Sequence, residues 1–424
     1  MLHLKDLDWT WDVDQAWRPS GGAPIQTLPP PTLPRVESPK PAPASWSWSS
    51  TWQSVAASLS PGLLSGVRLG TWLRVLQENR LEIDPPYWAR AFLVTLGAMA
   101  QTGLSWLEDH YFSQAVQRAK ILPPLFILGL PRSGTTHLHN LLSRDKRFAY
   151  PTMFEVLFPN TFLLTEPILA GIVDRLIGHR RPMDNVRFGA AEPQEDEWAM
   201  PSLIGRSCLL ACAFPRNRDL HDRYLTLREL GEEERRAWQT ALLQFVRKLS
   251  YKHSKPLVLK SPGHTGRIRY LLELFPDARF VLIRRNPYTI FQSAWHTLKV
   301  TGAEATYQAI PASSCPETIL RSYRLLFEAY FEDRSLIPPG RLHEVSFEDL
   351  EADPMGEMRR LYDQLNLPTF DDFVPHLRDY LQSLRGYTKN CHKPLESDVK
   401  QRVASEWSRL FDEWGYSRGD SQAG

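Results

Sequence analysis

Between Leu125 and Leu142 the chain reads Leu-Phe-Ile-Leu-Gly129-Leu-Pro-Arg132-Ser133-Gly134-Thr135-Thr136-His137-Leu-His-Asn-Leu-Leu142, an apolar run that stops at a glycine, turns, and restarts at helical spacing. These residue types suit an anion. Gly129 and Gly134 allow a tight turn and close approach to a ligand, and the free N–H groups of a helix start face negative charge. Ser133, Thr135 and Thr136 supply hydroxyl donors, Arg132 a fixed positive charge, and His137 belongs to the same first helical turn as a candidate contact. Two more basic groups follow apolar, strand-like runs: Lys260 after Lys255-Pro-Leu-Val-Leu259, and Arg285 after Phe280-Val-Leu-Ile283. Ligands of open α/β sheets bind beyond the carboxyl ends of the strands, so the pattern predicts that Arg132, Lys260 and Arg285 meet on one rim. Asn286-Pro287 is a helix start, and Ser293, two turns along, returns to the face of the first turn beside Arg285.

Gly129 and Gly134 stand as far apart as the glycines of the nucleoside-triphosphate loop G-x-x-x-x-G-K-[ST], but Thr135 occupies the place of the lysine. The cation has moved upstream to Arg132. A loop so altered suits one compact anionic group better than a metal-bound triphosphate. No His, Cys or acidic cluster has convincing metal-ligand spacing, so no metal is expected.

Proton acceptors form a second group. Glu155 lies in the aromatic segment Phe148 to Pro159, where desolvation of an unpaired carboxylate would raise its pKa and tune it as a base. His264, four residues after Lys260, is the alternative and ranks behind it. The acids of Glu195-Asp196-Glu197 follow Pro193 and read as a solvated helix start. They are the next place to search if neither Glu155 nor His264 is the base.

Around these residues the order strand, loop, helix recurs, which gives an α/β class with a mainly parallel central sheet. Helix Glu232 to Ser250 is signalled by acids at its start and Arg247 and Lys248 near its end. A further strand is expected at Arg341 to Val345, followed by the capping box Ser346 to Asp349, and a single closing helix at about Glu396 to Trp414. Helical periodicity also fills residues 51–120. Within it Ala91 to Leu107 carries no charge but falls short of the roughly 20 apolar residues of a membrane span. It is expected to be a buried helix. Residues 1–50, crowded with proline and tryptophan, read as a disordered segment without a secretory signal, which implies a cytoplasmic protein.

The 424 residues allow a large core, with 50 Lys and Arg against 48 Asp and Glu. So even a balance argues against a nucleic-acid partner held by bulk electrostatics. The 4 cysteines are sparse; Cys208 and Cys212 lie in an apolar run and read as buried thiols.

From about Leu125 onward the chain resembles sulfotransferases that use 3′-phosphoadenosine 5′-phosphosulfate, of the bacterial branch that writes its first loop Pro-Arg-Ser-Gly-Thr-Thr. The resemblance rests on Pro131 to Thr136, on Arg285-Asn-Pro with Ser293, and on Lys260-Ser-Pro-Gly-His264 and Phe347-Glu-Asp-Leu350. Asn286 departs from the aspartate that many members carry. The resemblance implies a P-loop-type, three-layer fold for residues 121–424, with 51–120 as a helical extension. It also implies that the 5′-phosphosulfate lies on residues 132–137, that Arg285 and Ser293 hold the 3′-phosphate, and that Tyr387 and Lys389, in a Gly-bearing basic loop, close over the donor. Arg132 and Lys260 would stabilise transferred charge. The acceptor would be a small molecule, lipid or carbohydrate, with membrane contact compatible but not required. A P-loop kinase, or an idle anion-binding protein on the same fold, is the competing reading.

Overall fold

The computed structural model describes residues 62–176, 189–301, 306–309, 315–385 and 395–419. The proline-rich segment 1–50 and the loop carrying Tyr387 and Lys389 lie outside them.

Among the described residues, four short strands form one parallel sheet: β1 (Leu125–Leu128), β2 (Val258–Lys260), β3 (Arg279–Arg284) and β4 (Leu342–Ser346), in the spatial order β2-β1-β3-β4. Ile127 pairs with Lys260 on one side of β1, and Leu128 with Leu282 on the other. Both faces of β1 are buried, which is why the strand reads as a continuous apolar run rather than an alternation. The period of two survives in what each side chain meets. Phe126, Leu128, Phe280 and Leu282 join one core, while Leu125, Ile127, Val281 and Ile283 join another on the opposite face.

The helices that matter for the site are, in chain order, α1 (Leu69–Glu78), α2 (Trp88–Arg118), α3 (Thr135–Leu142), α4 (Met153–Leu157), α5 (Phe162–Leu176), α6 (Glu232–His253), α7 (Ile268–Leu274), α8 (Pro287–Thr301), α9 (Cys315–Asp333), α10 (Phe347–Ala352), α11 (Ser397–Glu406) and α12 (Ser408–Trp414). Leu138, Leu141 and Leu142 of α3 close one face of the sheet; Trp238, Leu242, Phe245 and Leu249 of α6 close the other. α6 opens on Glu232, Glu233 and Glu234, carries Lys252 and His253 in its last turn, and stops where Ser254 adopts a left-handed conformation at φ 52°.

Two expectations change. The closing helix is broken at Trp407, whose fully buried indole donates to the Leu320 carbonyl at 3.1 Å and stacks on Tyr323. Helix α2, which contains the uncharged run Ala91 to Leu107, is not buried on its apolar side. Trp88, Phe92 and Met99 are 62%, 62% and 57% exposed, while Arg90, Gln101, Ser105 and Glu108 face inward. The inward polar groups are satisfied: Glu108 pairs with Lys248 and accepts the Leu164 N–H at 2.9 Å, and Gln101 accepts from Thr161 Oγ1 at 2.8 Å. Cys208 and Cys212 are free thiols, half-buried rather than fully enclosed. No described helix is long and apolar enough to cross a membrane.

Candidate functional site

The loop between β1 and α3 is built on unusual backbone. Gly129 and Gly134 have φ of 149° and 107°, and Arg132 is itself left-handed at φ 73°. A non-glycine residue held there costs on the order of 1 to 3 kcal/mol, and its surroundings must enforce it. Two contacts do so: Arg132 Nε donates to Ser293 Oγ at 2.9 Å, and the Arg132 carbonyl accepts from Arg285 Nη1 at 3.3 Å. A Cβ added to Gly129 would lie 2.8 Å from the Ile283 carbonyl, and one added to Gly134 would lie 2.4 Å from the Phe347 ring. At both positions the glycine is required by space as well as by torsion. Thr265 ties the strand end down, accepting from the Gly129 N–H at 2.8 Å and donating to its carbonyl at 3.1 Å.

The predicted convergence is present. β1, β2 and β3 bring Arg132, Lys260 and Arg285 to the carboxyl edge of the sheet. Lys260, nearly inaccessible, donates to Glu195 Oε1 at 2.6 Å and reaches Thr136 Oγ1 at 3.4 Å. Arg285 sits 4.0 Å over the Phe347 ring. Asn286 starts α8 as expected, its Oδ1 accepting the Tyr288 N–H at 3.0 Å, and Ser293 two turns on is buried at the mouth of the loop. Ser133 Oγ is buried without a hydrogen-bond partner, so a hydroxyl donor stands ready where an anion would enter the loop. Thr135 is buried, whereas Thr136 and His137 are half-buried, the His137 ring 6.2 Å from that of Phe347.

The acids read as a solvated helix start are instead built into the site. Glu195 pairs with Lys260; Asp196 Oδ2 lies 2.7 Å from His264 Nε2; Glu197 pairs with Arg267 and accepts from Ser207 Oγ at 2.6 Å. Asp196 and Glu197 are fully buried, and only Glu195, whose side chain is 20% exposed, reaches solvent. Burial alone would push the Asp196 carboxyl up, but His264 and Arg267 hold it below the usual carboxylate range. His264 is fully enclosed and its Nδ1 makes no hydrogen bond.

Glu155 is not the unpaired carboxylate expected. Its Oε2 accepts the Thr152 N–H at 2.7 Å in a capping box that opens α4, and its Oε1 lies 2.7 Å from both Lys252 and His253. Burial would raise its pKa, but His253 and Lys252 outweigh it and hold the group below the ordinary value of 4.5. The spacing Thr152-x-x-Glu155 is a capping-box signal visible in the sequence. A carboxylate whose folded pKa is depressed contributes stability above its ordinary pKa and loses it as pH falls through the folded value. Glu155→Gln is therefore expected to lower unfolding stability by about 1.5 to 3 kcal/mol at pH 7, with the deficit shrinking below about pH 4, in paired urea titrations. An equal deficit at both pH values would contradict the ionised pairing.

Phe347, quoted in the sequence only as part of a segment, proves to floor the loop through both Gly134 and Arg285. Thr265 carried no signal beyond its place after His264. Among the described residues no group of His, Cys, Asp and Glu could hold a metal ion.

With this geometry in hand, three likenesses bear on it. Residues 123–372 match the profile of a family described as the sulfotransferase family. The omega-hydroxy-beta-dihydromenaquinone-9 sulfotransferase Stf3 of Mycobacterium bovis, and that of Mycobacterium tuberculosis, are each 35% identical over 372 residues, which is 87% of this chain and 94% of the relative. The crystal structure of sulfotransferase STF9 from Mycobacterium avium superposes with a TM-score of 0.63 at 19% identity, covering 83% of this chain and 97% of that one, a likeness of fold.

Proposed function

This chain belongs to the sulfotransferase family, and on that premise we propose that it moves the sulfuryl group of 3′-phosphoadenosine 5′-phosphosulfate onto a hydroxyl of an apolar, lipid-like acceptor. The observation that carries the donor reading is the Arg132 to Ser293 hydrogen bond of 2.9 Å, which joins two anion-binding segments at one sheet edge. A donor with a phosphate at one end and a phosphosulfate at the other needs two such segments side by side. Ser133, Thr135, Thr136 and the N–H groups opening α3 receive the 5′ end, with His137 at its margin; Arg285 and Ser293 receive the 3′-phosphate. Tyr387 and Lys389 remain candidates for closing over the nucleotide.

The transfer itself is an in-line displacement: the acceptor oxygen bonds to sulfur as the bond from sulfur to the bridging phosphate oxygen breaks, and the electron pair leaves on that oxygen. Lys260 and Arg132 stabilise the charge on the sulfuryl and leaving oxygens. The acceptor's proton goes to a carboxylate. Glu195 is favoured for this over Glu155 and His264, because its carboxylate lies beside Lys260 and reaches solvent, whereas the other two are enclosed. Support for an apolar acceptor comes from the relatives, whose name gives theirs as an omega-hydroxy-dihydromenaquinone.

The test is thermal stabilisation by 3′-phosphoadenosine 5′-phosphate against ATP with magnesium, followed by labelled sulfuryl transfer. Arg285→Ala is expected to weaken bisphosphate binding by about tenfold or more, the worth of a charge-assisted hydrogen bond, and Ser293→Ala by less. Unchanged bisphosphate affinity in both folded variants, or stabilisation by ATP alone, would overturn the donor assignment.

A further inference from the structure

We propose that the outward face of α2 docks the enzyme on an anionic phospholipid surface. This deepens the reading of an apolar acceptor, on which it rests, by naming where such an acceptor is met. Trp88, Phe92, Leu96, Met99 and Trp106 stand at steps of four, four, three and seven along α2, with Gly103 between the last two, and so share one face. They are 62%, 62%, 49%, 57% and 71% exposed. Single exposed apolar side chains are ordinary, but five large ones on one helix face mark a contact surface. At a rise of about 1.5 Å per residue the stripe runs roughly 30 Å. It is widened by neighbours on flanking helices: Leu73 of α1 is 53% exposed, and Ile168 of α5 is 73% exposed.

Nothing in the helix's own packing needs this face to be apolar. From Trp88 to Glu108 its charged and amide groups, Arg90, Gln101 and Glu108, all lie on the inward side, the reverse of an ordinary surface helix. The stripe begins and ends in amphipathic rings. Trp88 donates its indole N–H to the Ile83 carbonyl at 3.0 Å, and Trp106 and Tyr111 stand at the far end. Such rings favour the boundary between headgroups and acyl chains, and a helix with this distribution lies in that boundary rather than crossing it.

Charge selects the occupant. Exposed Arg80 precedes the stripe, and exposed Arg118 and Lys120 follow it. The acids nearby already have cations: Glu82 and Asp84 pair with Arg216, and Asp109 of α2 lies 4.0 Å from Arg68. A second copy packed face to face would set positive ends against positive ends in either two-fold orientation. Anionic headgroups complement both ends at once.

The experiment is co-sedimentation of the full chain with phosphatidylcholine vesicles, with and without phosphatidylglycerol, beside the Phe92→Glu/Trp106→Glu double variant. The wild type is expected to sediment with the anionic vesicles, and the variant to bind at least about tenfold more weakly. Bisphosphate-induced thermal stabilisation should be the same in both, which separates this result from misfolding and from failure of the donor site. Turnover on a soluble alcohol, unchanged in the variant, separates it from failure of the sulfotransfer reading. Wild type left in the supernatant, or variant and wild type binding alike, overturns the proposal. So does a concentration-dependent dimer that the same substitutions abolish without vesicle binding, because a second copy would then be the occupant.

Discussion

Glu195→Gln is expected to lower turnover by roughly 10²- to 10⁴-fold while leaving bisphosphate affinity within a few-fold, the signature of a lost general base. The isosteric amide keeps the volume and one hydrogen bond toward Lys260 but removes the charge that accepts the proton. His264→Asn and Glu155→Gln are the comparisons. His264 holds Asp196 through a contact of 2.7 Å inside a sealed space, so its loss should disturb folding and the placement of its neighbours as well as the rate. Glu155→Gln should be costly to stability and nearly silent in turnover for the molecules that remain folded. The decisive measurement is single-turnover transfer under saturating donor, with circular dichroism and bisphosphate binding on the same preparations. Near-normal turnover in Glu195→Gln together with collapse in His264→Asn would move the base to the imidazole. Collapse confined to Glu155→Gln would return it to the residue that the sequence ranked first.

Lys260→Met should lower turnover by about 10²- to 10³-fold, the usual effect of deleting one preorganised charge at a developing oxyanion. Methionine fills the apolar length of the side chain, so packing at the end of β2 is largely kept. Because Lys260 and Glu195 touch at 2.6 Å, the double variant Glu195→Gln/Lys260→Met is expected to be much less damaged than the product of the single effects. Multiplicative losses would mean that the two groups act separately, and would remove the reason for placing the base beside this cation.

The donor side of the molecule could be read before folding because its physics is local. Strands buried on both faces must be apolar throughout, helix starts must solve their open N–H groups, and an anion needs glycine and basic groups together. Each of these is written within a few residues, as at Gly129 to Thr136 and Asn286 to Ser293. What escaped reading depends on partners far away in sequence. Glu155 appeared isolated because its partners, Lys252 and His253, arrive almost a hundred residues later at the end of α6. Glu195 to Glu197 looked solvated because Lys260, His264 and Arg267 had no visible reason to face them. In α2 the periodicity declared two faces but not which of them meets water, and the ordinary preference pointed the wrong way. Trp407 fitted the spacing of an unbroken helix, and its partner, the carbonyl of Leu320, lies 87 residues away.

The three acids at 195–197 and their partners at 260–267 also decide how this protein can be recombined with its relatives. Three consecutive residues answer, in order, Lys260, His264 and Arg267 of a distant segment, so the two stretches behave as a matched cassette. A crossover placed between them would combine acids from one parent with basic groups from another, and a one-residue insertion would misdirect all three pairs together. Chimeras intended to exchange acceptor preference should therefore move both stretches from the same parent, or neither.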